Sequence, residues 1–117
     1  MKSLLTLACL VCTGHLLLGQ SKSEASKLVV ENDNVRVYEY DAKPGKDVCG
    51  LGKHSHPAHL TVMLTDGNVT ITSPDGKVTS AKMKAGTTFW SEAESHTVVN
   101  SGTSEVKCQI VEVKKKK

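Results

Sequence analysis

From Lys27 onward, apolar and polar positions alternate in short runs rich in β-branched residues, separated by glycine, proline, asparagine and aspartate. No stretch holds the 3.6-residue period of an amphipathic helix, so the pattern is one of half-buried strands. It predicts strands at Lys27 to Glu31, Val35 to Asp41, His59 to Asp66, Asn68 to Ser73, Lys77 to Lys84, Thr87 to Ser91, His96 to Asn100 and Val106 to Lys114. Their regular spacing is that of a sandwich or barrel, and the class is all-β. Asp66-Gly67 and Asp75-Gly76 fall between alternating runs, where glycine can take positive φ. Both read as tight turns, which predicts two successive hairpins.

Residues 1–19 break this pattern. Lys2 precedes a mostly apolar stretch from Leu4 to Leu18, which ends in Leu-Leu-Gly before Gln20. A positive start, a short apolar region and a small residue at the cut describe a secretion signal. Thr13, Gly14 and His15 interrupt the run, leaving it too short to span about 30 Å of hydrocarbon, so no stable membrane insertion is expected once it is removed. The expected organisation is a leader at 1–19, a polar spacer at 20–26, a single barrel domain at 27–113 and a solvated basic tail at 114–117. The destination is a secreted or periplasmic space.

Cleavage after Gly19 removes Cys9 and Cys12 and leaves Cys49 and Cys108, an even pair in a chain bound for an oxidising space. A disulfide between them would close a loop of roughly 60 residues and limit the unfolded chain by about 4 kcal/mol. Two separate buried thiols are the alternative.

The net charge of +3 comes from 15 Lys+Arg against 12 Asp+Glu. Lys2 and the run Lys114 to Lys117 account for five of the cations, so the body carries 10 against 12, or −2. Excess positive charge confined to the ends, with aromatics at 3%, does not make a nucleic-acid-binding face.

Beyond the leader, all four remaining histidines fall in two places: His54, His56 and His59 within KHSHPAH, and His96 within SEAESHTVVN. In an extended strand, residues two apart share a face, which places the rings of His54 and His56 side by side roughly 6 to 7 Å apart along the backbone. Two such nitrogens can converge on one ion at about 2.0 to 2.2 Å, and His96 from another strand offers the third corner. Strand parity carried on from His54 points Leu60, Val62 and Leu64 inward and His59 outward. A bulge at Pro57 would reverse this and bring His59 in as a fourth candidate ligand. Glu92 and Glu94 lie close in sequence to His96 and are candidate general bases or ligands. Tyr38 and Tyr40 read as packing residues of their strand.

The order Gly50 or Gly52, His54-x-His56, Gly67, then Gly86, His96 and Asn100, with Phe89-Trp90-Ser91 as a strand between, resembles the two motifs of the cupin superfamily. The resemblance covers nearly all of the chain after the leader. It implies a double-stranded β-helix, or jelly-roll, barrel holding a divalent metal ion, with His54, His56 and His96 inheriting the ligand role. Three departures stand out. Leu60 occupies the position where the family's glutamate ligand would fall. Glu92 and Glu94 replace the usual proline and glycine of the second motif.

Imidazoles suit iron, manganese, nickel, copper and zinc alike, so the residues do not select the ion. A three-histidine site with open positions suits an oxygenase-like or lyase-like reaction on a small molecule whose oxygens chelate the metal. The same barrel could equally serve as a non-catalytic module for a metal or small ligand, or as a structural domain that uses its histidines for neither. By resemblance, a homodimer is also expected to be compatible with such a barrel.

Overall fold

The structure is a computed structural model that describes residues 26–116. The expected leader at 1–19, and the spacer apart from Ser26, lie outside the described residues. Nine strands follow in order: β1 (Ser26–Glu31), β2 (Val35–Ala42), β3 (His54–His56), β4 (His59–Met63), β5 (Gly67–Thr72), β6 (Val78–Met83), β7 (Thr88–Ser91), β8 (Glu94–Asn100) and β9 (Val106–Val113). Each expected strand is present within a few residues at its ends, and β3 adds a ninth.

The strands form two antiparallel sheets, with orders β1-β2-β9-β4-β7 and β3-β8-β5-β6. Their inner faces enclose the core, which contains Tyr40, Ala42, Val48, Cys49, Met63, Val69, Val106, Cys108 and Ile110. The period of two is plain in β9, where Val106, Cys108 and Ile110 are buried and the residues between them are half-buried. Along its whole length β9 pairs with β2, from Val35 opposite Val113 to Ala42 opposite Val106. This all-β double-stranded β-helix is the architecture expected from the sequence.

One of the two expected hairpins forms. Asp75-Gly76 turns β5 into β6, with Gly76 at φ +85° and its N–H donating to the Ser73 carbonyl at 2.9 Å. Asp66-Gly67 does not join paired strands: β4 pairs with β7 and β9, and β5 pairs with β6 and β8. The chain crosses from one sheet to the other there. Gly67 is needed for space rather than for positive φ, since a Cβ on it would lie 2.8 Å from Cγ2 of the buried Val106. Asp66 instead accepts from the Ala85 N–H at 2.9 Å and pairs with Lys84 at 3.0 Å.

Asn100, with no exposed surface, ties the far end of the barrel together. Its side-chain amide donates to the carbonyls of Ala42 and Ser104, and its oxygen accepts from the Gly102 N–H at 3.0 Å. The loop after β2 then runs along β8. Gly45 N–H donates to the Asn100 carbonyl, Val48 N–H to the Val98 carbonyl, and Asn100 N–H returns to Lys46. That ladder-like docking delivers Cys49 into the barrel.

The closing lysine run is not uniformly solvated. Lys114 donates to Glu31 Oε1 at 2.9 Å and through its backbone to Asn34, fastening the end of β9 to the β1–β2 hairpin. The carboxylate it meets, which also takes two bonds from Arg36, outweighs repulsion from its lysine neighbours.

Candidate metal centre

The short strand β3 lies antiparallel to β8, so that His54 faces His96, Ser55 faces Ser95 and His56 faces Glu94. The two serine hydroxyls meet at 2.6 Å on the exposed side. Alternation therefore sends His54, His56 and His96 to the other side together. Ring centroids are 4.7 Å apart for His54 and His56, 4.7 Å for His54 and His96, and 5.7 Å for His56 and His96. Imidazoles from the two distant stretches of the chain thus lie side by side.

His59 joins them. Pro57 and Ala58 separate β3 from β4, and the parity of β4 restarts with His59, Thr61 and Met63 buried and Leu60 and Val62 half-buried. Of the two arrangements the sequence allows, the structure has the one in which His59 turns inward and Leu60 does not. His59 is 2% exposed and its ring lies 5.0 Å from that of His56. The physical reason is the proline, which cannot donate to a ladder and breaks the strand before His59. Leu60, at the position of the absent glutamate, pairs in register with Trp90 and Val111 instead.

Hydrogen bonds set the tautomers. The Nδ1–H of His54 donates to the Gly52 carbonyl at 2.7 Å, and that of His59 donates to the Pro57 carbonyl at 2.8 Å. A carbonyl can only accept, so both rings keep their lone pair on Nε2. Gly52 reaches the required position at φ +66°, a conformation that disfavours side chains. His56 Nδ1 meets the Glu112 carboxylate at 3.2 Å, and His96 Nδ1 lies 3.6 Å from Glu94. The Nε2 atoms of His54 and His96 are buried and have no hydrogen-bond partner. Buried acceptors left so are uncommon in native structures, and a lone pair that is enclosed, oriented and unpaired is what a metal ligand presents.

Burial pushes the basicity of His56 below its ordinary value, against a smaller upward pull from Glu112. His96 is likewise lowered by burial, opposed by Glu94. Both rings are thus kept neutral, the state that binds metal.

Two contributors were not singled out as site residues in the sequence. Cys49 was expected to bridge Cys108, yet no disulfide joins these two buried residues. The Cys49 sulfur is turned toward His56, 3.7 Å from its Nε2. Donor atoms of Cys49, His54 and His56 all lie within 4.8 Å of one another, a buried group able to take a metal ion. Burial pushes both thiols up, Cys108 to about 12, so without an ion they stay protonated. The proximity of Cys49 to the HxH pair in CGLGKHSH was the available signal. Glu112 had none, because its place beside His56 arises from the pairing of β9 with β4, which puts it opposite His59.

Of the two carboxylates near His96, only Glu94 reaches the cluster. Its Oε1 lies 3.8 Å from His59 Nε2 and 3.6 Å from His96 Nδ1. Glu92 accepts from the Trp90 indole at 2.7 Å on the exposed side and takes no part. The tyrosines pack as expected, with Tyr40 buried and edge-on to the His56 ring at 6.2 Å. On the inner side of the cluster, a cavity of about 170 Å³ extends between the sheets, with Cys49, His59, Glu94 and His96 among its lining.

No family model and no curated protein matches the chain. Solved structures do. A cupin domain protein from Bordetella pertussis aligns over 77% of this chain and 92% of its own, with 24% identity and a TM-score of 0.69. An RmlC-like cupin family protein with a double-stranded β-helix fold, from Methanocaldococcus jannaschii, covers 80% and 83% at 14% identity and a TM-score of 0.62. The polyketide cyclase RemF from Streptomyces resistomycificus covers 79% and 69% at 16% identity and a TM-score of 0.57. The chain therefore has the double-stranded β-helix fold of the cupins, with a histidine cluster in its barrel.

Proposed function

We propose that this protein is a secreted or periplasmic metal-dependent cupin that acts on a small molecule admitted to the barrel beside the ion. The observation that carries the reading is the orientation of the imidazoles. His54, His56 and His59 each direct Nδ1 to a carbonyl or carboxylate, and the inward Nε2 atoms of His54 and His96 stand buried and unpaired. His54, His56 and His96 would hold the ion, with Cys49 and His59 as the adjoining donors.

When bound, the ion supplies a Lewis acid that polarises an oxygen of the small molecule. The chain's own residues do the rest. Glu112 orients His56, the Gly52 carbonyl orients His54, and the apolar core beneath excludes water. Glu94 is the carboxylate placed to accept a proton at the cavity edge.

Metal analysis of tag-free protein tests the reading. One divalent ion per chain is expected, lost in His54→Ala and His96→Ala. Absence of an ion before and after reconstitution with iron, manganese, nickel, copper or zinc refutes it. Cobalt substitution reports on Cys49, since a sulfur-to-metal charge-transfer band that disappears in Cys49→Ser marks the thiolate as a ligand.

A second reading, a non-catalytic module that holds a metal or small ligand, is favoured by one observation. Glu94, the only carboxylate to reach the cavity among the described residues, is already set between His59 and His96. Oxygen uptake or substrate loss in any reconstituted form would favour the enzyme.

A further inference from the structure

We infer that Cys49 sets the class of ion this barrel takes: a thiophilic one, zinc or copper(I), in preference to an oxygen-seeking one such as manganese. The inference deepens the proposed function, on which it rests for the presence of an ion at His54, His56 and His96.

Distance is the first support. The Cys49 sulfur lies 3.7 Å from His56 Nε2. A sulfur at about 2.3 Å and a nitrogen at about 2.0 to 2.1 Å from one tetrahedral ion stand about 3.5 Å apart, against about 3.1 Å where they meet it at a right angle. The observed separation is the nearer to tetrahedral, and donor atoms of Cys49, His54 and His56 all lie within 4.8 Å of one another. A thiol–imidazole hydrogen bond has a similar length, which makes it the alternative to exclude.

Placement is the second. Cys49 is 2% exposed, its N–H donates to Asp47 Oδ1 at 2.9 Å, and the N–H of Val48 before it donates to the Val98 carbonyl at 2.7 Å. The backbone thus holds the sulfur beside the imidazoles whether or not an ion is bound.

The third is the position of the carboxylates, the hard donors that suit manganese. Glu112 meets His56 at Nδ1, whereas the sulfur faces Nε2. Glu94 lies 3.6 Å from His96 Nδ1 and 3.8 Å from His59 Nε2 and is 39% exposed. Asp47 spends one oxygen on the Cys49 N–H and keeps the other buried and unpaired. Among the described residues, the group whose donors come within 4.8 Å of one another contains none of these three. Imidazoles serve zinc, copper and other ions alike, so the thiolate is the donor that discriminates.

The experiment is anaerobic titration of metal-free, reduced, tag-free protein with zinc, copper(I) and manganese, each in competition with a chromophoric chelator. Zinc and copper(I) are expected to bind one per chain. Cys49→Ser puts a harder oxygen in nearly the same space and should lower the zinc-to-manganese and copper(I)-to-manganese affinity ratios at least about tenfold. Cys108→Ser, at the other buried thiol lining the cavity, should leave both ratios within about threefold of wild type. X-ray absorption at the zinc edge of the wild type should show one sulfur at about 2.3 Å. That measurement stands even if Cys49→Ser fails to fold.

A smaller fall in the ratios of a folded Cys49→Ser, or a zinc shell without sulfur, overturns the inference and leaves the metal centre standing, with Cys49 a hydrogen-bond donor only. A larger shift in Glu94→Gln than in Cys49→Ser also overturns it. Uptake of none of the three ions refutes the metal centre and the inference together.

Discussion

Glu112 provides a sharp test of the proposed metal centre because it would act on a bound ion only through His56. Its Oε1 lies 3.2 Å from His56 Nδ1, and the side chains of the glutamate and the histidine are 12% and 4% exposed. A charge-assisted bond so shielded from solvent fixes the ring and raises the basicity of Nε2. Loss of such a partner costs about 10- to 100-fold in metal affinity, which is about 1.4 to 2.7 kcal/mol. Glu112→Gln keeps the shape and one acceptor and should fall near the lower end. Glu112→Ala should fall near the upper end.

Glu112 also acts on proton binding at His56. The carboxylate raises the proton affinity of His56 while burial lowers it, so removing Glu112 reduces the proton competition that the metal must overcome. The deficit of Glu112→Gln should therefore be largest at pH 7.5 and narrow toward pH 5. Competition titration of zinc against a chromophoric chelator at several pH values measures both quantities. An affinity within about twofold of wild type at pH 7.5, in a protein that still binds one ion, would refute the positioning role.

Other expectations concern the barrel itself. Asn100→Ala leaves the carbonyls of Ala42 and Ser104 and the Gly102 N–H without their side-chain partner in a fully buried place; a loss of about 3 kcal/mol in urea denaturation is expected. Gly67→Ala drives a methyl to 2.8 Å from Val106, which is 1% exposed. The overpacking should cost about 1 to 3 kcal/mol, with partial recovery in the double variant Gly67→Ala/Val106→Ala, and simple additivity of the two single changes would contradict the clash. The metal-free protein should lose stability as the pH falls below 6.5, the ordinary histidine value. His56 and His96 are both lowered in the folded state, so there the unfolded chain binds protons that the folded one refuses. A melting temperature flat between pH 7.5 and 5 would count against that burial. Zinc should raise the melting temperature at neutral pH, because an ion that binds only the folded chain stabilises it.

Much of this protein is written locally. The period of two gave eight of the nine strands, since side-chain alternation depends only on residues a few positions apart. The pairing of His54 with His56 was equally local. Convergence of His96 on them could be expected from the resemblance to cupins, and it is realised by the antiparallel register of β3 on β8.

Long-range pairing decided the rest. Whether Asp66-Gly67 closed a hairpin or changed sheets depended on which partners β4 and β5 found, and these were β9, β7, β8 and β6 rather than each other. His59 turned inward because the chain breaks at Pro57, an event that alternation allows and cannot choose. Cys49 came to face His56 because its loop docks on β8, and Glu112 reached the same ring from 56 residues away through the pairing of β9 with β4. The sequence by itself determined which faces are apolar and where the imidazoles are concentrated. Only the tertiary structure determined which sulfur and which carboxylates stand beside them, because that depends on the register between strands distant in the chain.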